Sequence, residues 1–559
     1  MGYACFYLAV VAACLLWSAA LTAAAARAER GWRWLLEAAA ILVPVVIILP
    51  ALVMTGQLAF GPLPMITNWF GPTLTAFLAV LIGCSWIAWA GLARSHDRPL
   101  QYSSEPVSLA IRWPLVGLAA MSALAAAVAF GTLLILDNAV AAQAPYLRLE
   151  AASLIQASLP PAVPDSQNAA PLYEQACGAL RADPAAAKGP DSLLRATETI
   201  DPFSPAATEL LAHHAATLDL LRRAADRDTC RFQKDWTRPS IDMAFPEEQA
   251  LLFAARLLSL EARREAADGN TADALRDVVR LHRIGRHAGS GPFLVCALIG
   301  YMIDRTALET LAQVLPTLRK SDLAALDTPE MRDLVMAPPA LTMHLRGEEA
   351  MLLTLFADLL GEDFDMTKYV RVMVDEKPLP VLYREPILGF TRLFRSFFLP
   401  GDLAGSRAIL QKYQVIAGKA EPHQSKLKTE AVKAELQNRS PGMHTSLLVP
   451  AVGDALRWQA QPLSLRRAAA VLIAATRQRL ETGTIPATIS DLTAKPAPPT
   501  TEDPFAAGEP LRMKQAENVL LVYSVGPDGE DDGGPVTPSP AAGTDTVEGN
   551  DDVGLRMAL

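Results

Sequence analysis

At 559 residues the chain is too long for one ordinary core, so several structural units are expected. Apolar residues make up 51% of it, beside 50 basic and 59 acidic residues, a mixture that points to a lipid-embedded part joined to a water-facing part. The net charge of −9 excludes the basic field on which nucleic-acid binding depends.

Four runs open the chain, at 4–26, 33–55, 73–92 and 113–136. Each is apolar, nearly free of charge, and close to the roughly 20 residues that a helix needs to cross a bilayer. No basic residue precedes the first run, which favours an uncleaved helix over a signal peptide or the lipoprotein-like box ending at Cys14. Arg27, Arg30 and Arg33 follow the first run, Arg94, Arg98 and Arg112 follow the third, and the loop at 56–72 has no charge. The positive-inside rule then puts the N-terminus and everything after residue 140 outside, on the periplasmic side of a bacterial inner membrane. The centres of these runs hold no ionisable residue, which favours a compact anchor over a transport path.

Residues 141–165 read as a linker, ending in Leu159-Pro160-Pro161. From 166 to 460 a helical period dominates. Residues 168–181 form one amphipathic stretch, with Leu172, Ala176 and Leu180 on a single face. Residues 247–289 form the clearest unit: Leu251, Ala254, Ala255, Leu258 and Ala262 make one stripe, Asp268-Gly269-Asn270 breaks it, and Ala274, Val278, Leu281 and Ile284 make the next. This hairpin resembles one tetratricopeptide unit, without a clean 34-residue repeat around it. The expectation is a large domain of stacked helical hairpins.

Of the six cysteines, Cys5, Cys14 and Cys84 lie in the apolar runs. Cys296 sits in an apolar stretch, so Cys177 and Cys230 are the candidate disulfide for an oxidising compartment. Closing that loop is worth about 4 kcal/mol in the chain-entropy model; three free thiols are the alternative. His344 and Glu348 share a helical face and offer two metal ligands, against the plainer reading of a solvated pair. No G-x-S-x-G, H-E-x-x-H or Walker-type loop occurs, so no named catalytic mechanism applies.

Near residue 464 the pattern changes. Leu465, Ala469, Leu472 and Ile473 continue a helical stripe to Gly483, a short turn follows at 489–492, and two strand-like runs lie at 510–514 and 519–525. Before them stands Asp503-Pro504-Phe505; from the end of the second runs Tyr523-Ser524-Val525-Gly526-Pro527-Asp528-Gly529, and further on Asn550-Asp551-Asp552-Val553-Gly554. Asp528, Glu530 and Asp532 alternate, with Gly533 next, like the front half of a calcium loop. Ser539 occupies the place of the closing glutamate, and a strand precedes the loop, so this is not an EF-hand. The plainer reading is a solvated acidic turn.

The order helix, turn, Asp-Pro-Phe, strand, Tyr-Ser-x-Gly-x-Asp-Gly resembles the soluble C-terminal head of type II secretion major pseudopilins over roughly the last hundred residues. The resemblance implies calcium, with Asp528 and Asp552 as side-chain ligands; Glu530 and Asp532 join the expected set from the alternation alone. It departs from that family in lacking a prepilin-peptidase site and single assembly helix at the start, and in the insert at 535–548. The whole chain is similar to uncharacterised membrane-anchored proteins of the bacterial envelope.

The expected architecture is therefore mostly α. It has four transmembrane helices in 1–140, a linker at 141–165 and a helical periplasmic domain at 166–460. A small α+β pseudopilin-like module follows at 461–534, then a flexible Pro/Thr/Ala-rich and acidic tail at 535–559. The expected function is binding or scaffolding beside secretion or pilus-like machinery, with membrane and other envelope or secretion proteins as partners. The alternative is an envelope enzyme whose site is assembled from scattered residues of the helical domain.

Overall fold

The computed structural model describes residues 135–182, 200–236, 245–361, 399–419, 422–438, 459–493, 500–516, 518–534 and 551–559, with a few isolated positions between them. The chain divides into two compact units, Met1–Ala142 with Glu362–Pro400, and Gln143–Gly361 with Gly401–Leu559. The second holds nearly all the described residues.

Helix α1 (Ala144–Ser158) falls where a linker was expected. Ala144, Leu147, Ala151 and Ile155 repeat at helical spacing and bury one face against α9 (Thr342–Leu360), and the run of prolines at 160–164 stops it. Helix α2 (Ala170–Ala182) follows the predicted 168–181 stretch and packs on α4 (Ala215–Ala225), which α3 (Pro205–His213) precedes. Ser204 caps α3 by accepting the Ala207 amide, and Pro205 takes the first helical position, where its missing N–H costs nothing.

The predicted hairpin is α5 (Pro246–Ala267) and α6 (Thr271–Ala288). Gly269 joins them with a φ of 85°, a left-handed turn for which glycine carries no Cβ penalty. Helix α7 (Leu294–Val314) turns back along α6. Two 3₁₀ segments and the short α8 (Pro329–Leu334) lead to α9; α10 (Leu399–Lys419) and α11 (Pro422–Asn438) come next. Helix α12 (Ala460–Thr482) ends at Gly483, whose φ is 79°, as the sequence stop signal implies.

The sheet is an antiparallel meander of β1 (Arg512–Ala516), β2 (Val519–Ser524) and β3 (Val553–Ala558). Leu520 pairs with Met557 and Val522 with Leu555. This face packs on α7 and α12, so helices and sheet share one hydrophobic core. The last strand lies in what was expected to be a flexible tail. Val553, Leu555 and Met557 alternate with Gly554, Arg556 and Ala558, a six-residue pattern too short and too far from β2 to stand out in the sequence. The expected boundary at 461 also disappears, because α12 lies between the helical body and the sheet.

The transmembrane expectation is corrected. Among the described residues, no helix is long and apolar enough to cross a membrane. The long helices carry too much charge: α7 contains Asp304, Arg305 and Glu309, and α12 contains Arg466, Arg467, Arg477 and Arg479. The runs at 4–26, 33–55 and 73–92, and 113–134 of the fourth, lie outside the described residues. The four-span anchor, the membrane character and the inner-membrane localisation fall with it.

Candidate functional site

The acidic loop after β2 is built on glycine. Gly526, Gly529, Gly533 and Gly534 all have positive φ. A Cβ at Gly526 would lie 1.8 Å from the Asp551 carbonyl oxygen, so only glycine lets the returning chain approach there. Asp503, almost fully buried, ties the Asp-Pro-Phe turn to the end of β2. Its carboxylate accepts the amides of Phe505 at 2.9 Å and Val525 at 3.1 Å, and the Ser524 hydroxyl at 2.5 Å. The motif residues Asp503, Ser524 and Gly526 are thus explained by folding alone.

The four expected calcium ligands do not converge. Asp528 accepts the Glu530 amide at 3.0 Å, an Asx turn; Asp532 accepts the Asp551 amide at 3.3 Å; buried Asp552 accepts the Gly534 amide at 2.8 Å. Asp528, Glu530 and Asp532 face solvent. Burial raises the Asp552 carboxyl, opposed by the Gly534 amide and reinforced by Asp531 and Asp532. Asp531, absent from the expected set, accepts from the Tyr523 hydroxyl at 3.0 Å. Among the described residues, no group of three or more His, Cys, Asp or Glu side chains is arranged to hold a metal ion. The side chains stitch 528–534 to 551–552 instead.

Cys177, Cys230 and Cys296 are buried free thiols, and no bond joins the expected Cys177–Cys230 pair. Burial pushes Cys177 and Cys296 up to about 12, leaving neither a useful nucleophile at neutral pH. His344 and Glu348 also part company. His344 reaches the Gly289 carbonyl at 2.9 Å, while Glu348 accepts the Leu294 amide at 2.9 Å, at the start of α7. Burial pushes Glu348 up to about 7.

A buried charged cluster joining four helices was not expected. Gly285 of α6 and Gly289, which caps it, cross Gly300 of α7 so closely that a Cβ on Gly300 would stand 2.7 Å from the Gly285 carbonyl oxygen and 2.8 Å from the Gly289 Cα. One turn along the antiparallel pair, His282 of α6 and Asp304 of α7 meet, with Nδ1 to Oδ1 at 2.6 Å. Arg466 of α12 donates from Nε to the other Asp304 oxygen at 2.8 Å and from Nη1 to the Met336 carbonyl at 2.6 Å. His282 Nε2 faces Asp333 of α8 at 3.5 Å, and Arg286 holds the same carboxylate at 2.6 Å. His282, Asp304 and Arg466 are buried; Asp333 is half exposed.

Burial works against the imidazolium of His282, but the hydrogen bond to Asp304 and the nearby Asp333 carboxylate outweigh it, so the net shift is upward. The His282 contact holds Asp333 down, to about 2. Such an array can hold a proton between two carboxylates, and it binds α6, α7, α8 and α12 together. Its residues lie in four separate helices, Asp304 and Arg466 being 162 positions apart in the chain. The legible trace is a lone His, Asp or Arg set in an otherwise apolar stripe.

Comparison of the chain with known protein families, with characterised proteins and with solved structures finds no match in any of the three.

Proposed function

We propose that the protein is a binding or scaffolding component whose helical body presents a surface to another protein, of the secretion or pilus-like class that the C-terminal resemblance implies. The supporting observation is the outer face of α1. Tyr146 and Leu149 are 72% and 71% exposed, one turn apart, while the opposite face of the helix is packed on α9. Large side chains so placed are the usual anchors of a protein contact. Affinity capture with the full chain tests this. Tyr146→Glu with Leu149→Glu removes the anchors without touching the buried face, and loss of a reproducible partner at unchanged melting temperature is the expected result. Identical partner sets with the wild type and the double variant would refute the reading.

Calcium at the 528–534 loop with Asp552 belongs to the same proposal and rests on the resemblance and on the alternation of Asp528, Glu530 and Asp532 along the chain. A hard cation relieves repulsion among such carboxylates, and here it would have to draw Asp528 and Asp532 from the amides they accept. Thermal melting of the full chain in calcium and in chelator is the check. Calcium is expected to raise the midpoint of the wild type and not that of Asp528→Ala; an equal response in both excludes the site.

A further inference from the structure

The His282 cluster does more than fill a core, because its exposed carboxylate, Asp333, belongs to the shortest helix attached to it. Helix α8 is six residues long. It is seated on the body by buried Met331 and Leu334, by Asp333 between His282 and Arg286, and just beyond its end by the Met336 carbonyl that Arg466 holds. We propose that His282 is a proton-operated clasp, which holds the α8 segment against α6, α7 and α12 while the imidazole is charged and slackens when it is neutral.

The geometry gives the reason. A charged imidazolium donates from both ring nitrogens, to Asp304 on one side and towards Asp333 on the other. A neutral ring has one N–H. The 2.6 Å contact to Asp304 retains it at Nδ1, since that contact is shorter and more buried than the 3.5 Å approach to Asp333. Nε2 then turns a lone pair towards a carboxylate, and attraction becomes repulsion.

The groups that face the ring from each packed element fix the sign. Helix α7 contributes Asp304 and, beside it, Tyr301; α8 contributes Asp333; α12 contributes Arg466; α6 itself contributes Arg286. Two carboxylates touch the ring, while Arg466 and Arg286 are engaged by those same carboxylates. The folded state therefore favours the charged ring. A histidine raised above its unfolded value, about 6.5, contributes stability that is fully present below that pH and lost as pH rises through the higher folded value. Asp333, held low, contributes above its unfolded value of about 3.9 and loses its contribution as pH falls towards the folded value. The clasp is complete between these limits and opens on the alkaline side.

Nitrogen-15 NMR of the histidine side chains in the full chain, recorded against pH, tests the proposal. His282 is expected to titrate above a free histidine and to shift down in Asp333→Asn, a change at a half-exposed position that leaves the buried cluster intact. Hydrogen exchange gives the second readout. After correction for intrinsic rates, protection over 331–336 is expected to fall as pH rises in the wild type and to be pH-independent in His282→Gln. Titration of His282 at or below the free value, or an unchanged value in Asp333→Asn, would overturn the proposal. So would pH-independent protection of 331–336 in the wild type.

Discussion

Gly526 shows how a single residue type can be read in a motif for the wrong reason. Beside Asp528 it looks like part of a ligand loop, yet its place is fixed by a φ of 69° and by the Asp551 carbonyl that crosses where a side chain would stand. Gly529, with a φ of 81°, has open space around it. The two glycines therefore separate backbone conformation from close approach. Gly529→Ala is expected to cost only about 1–2 kcal/mol, the left-handed penalty. Gly526→Ala carries that penalty plus a collision with backbone, and is expected to cost at least about 3 kcal/mol in urea unfolding. Similar midpoints for the two variants would refute the account. The glycine was legible in the sequence; the returning strand that demands it was not, because that strand lies beyond the insert.

At the scale of elements, α12 is the piece on which most depends. Its apolar stripe and its Gly483 stop are plain in the sequence, as are the α5–α6 hairpin and the first two strands. Arg466, like Arg477, is a charge on the buried side of an Ala-rich helix. It is tolerated because Asp304 and the Met336 carbonyl receive it. Arg466→Met keeps the apolar stem and leaves Asp304 buried with His282 alone. The expected loss is about 3–5 kcal/mol in urea unfolding, the usual cost of removing one partner of a buried pair. A loss under about 1 kcal/mol would mean that solvent reaches Asp304. Periodicity reveals which face of a helix is buried, but not which buried charges find one another. That is why the hairpin was foreseen and the cluster was not, and why α1, with proline at its first turn and more prolines after it, reads as a linker although it packs as a helix.

For the molecule as a whole, the sheet is no appendage. Leu511, Leu520, Val522, Leu555 and Met557 belong to the same core as Leu258, Val278, Ile303 and Leu472. Ending the chain at residue 550 deletes β3 and uncovers Leu520 and Val522. The expected result is reduced hydrogen-exchange protection in α7 and α12 as well as in β1 and β2. Loss confined to the two strands would show that the sheet folds separately. A composition-based division at residue 461 misses this continuity, because turn-rich sequence marks where loops run and says nothing of which faces meet afterwards.

The pinning of Gly534 to Asp552 by a 2.8 Å hydrogen bond has an evolutionary consequence. The chain leaves the sheet and re-enters it through one fixed doorway, whatever length of sequence lies between. Closing a flexible loop across fixed ends grows dearer only slowly, by about 0.6 kcal/mol for each doubling of its length. Over evolution, changes in the length of sequence between Gly534 and Asp551 are therefore expected to leave β2 and β3 in register.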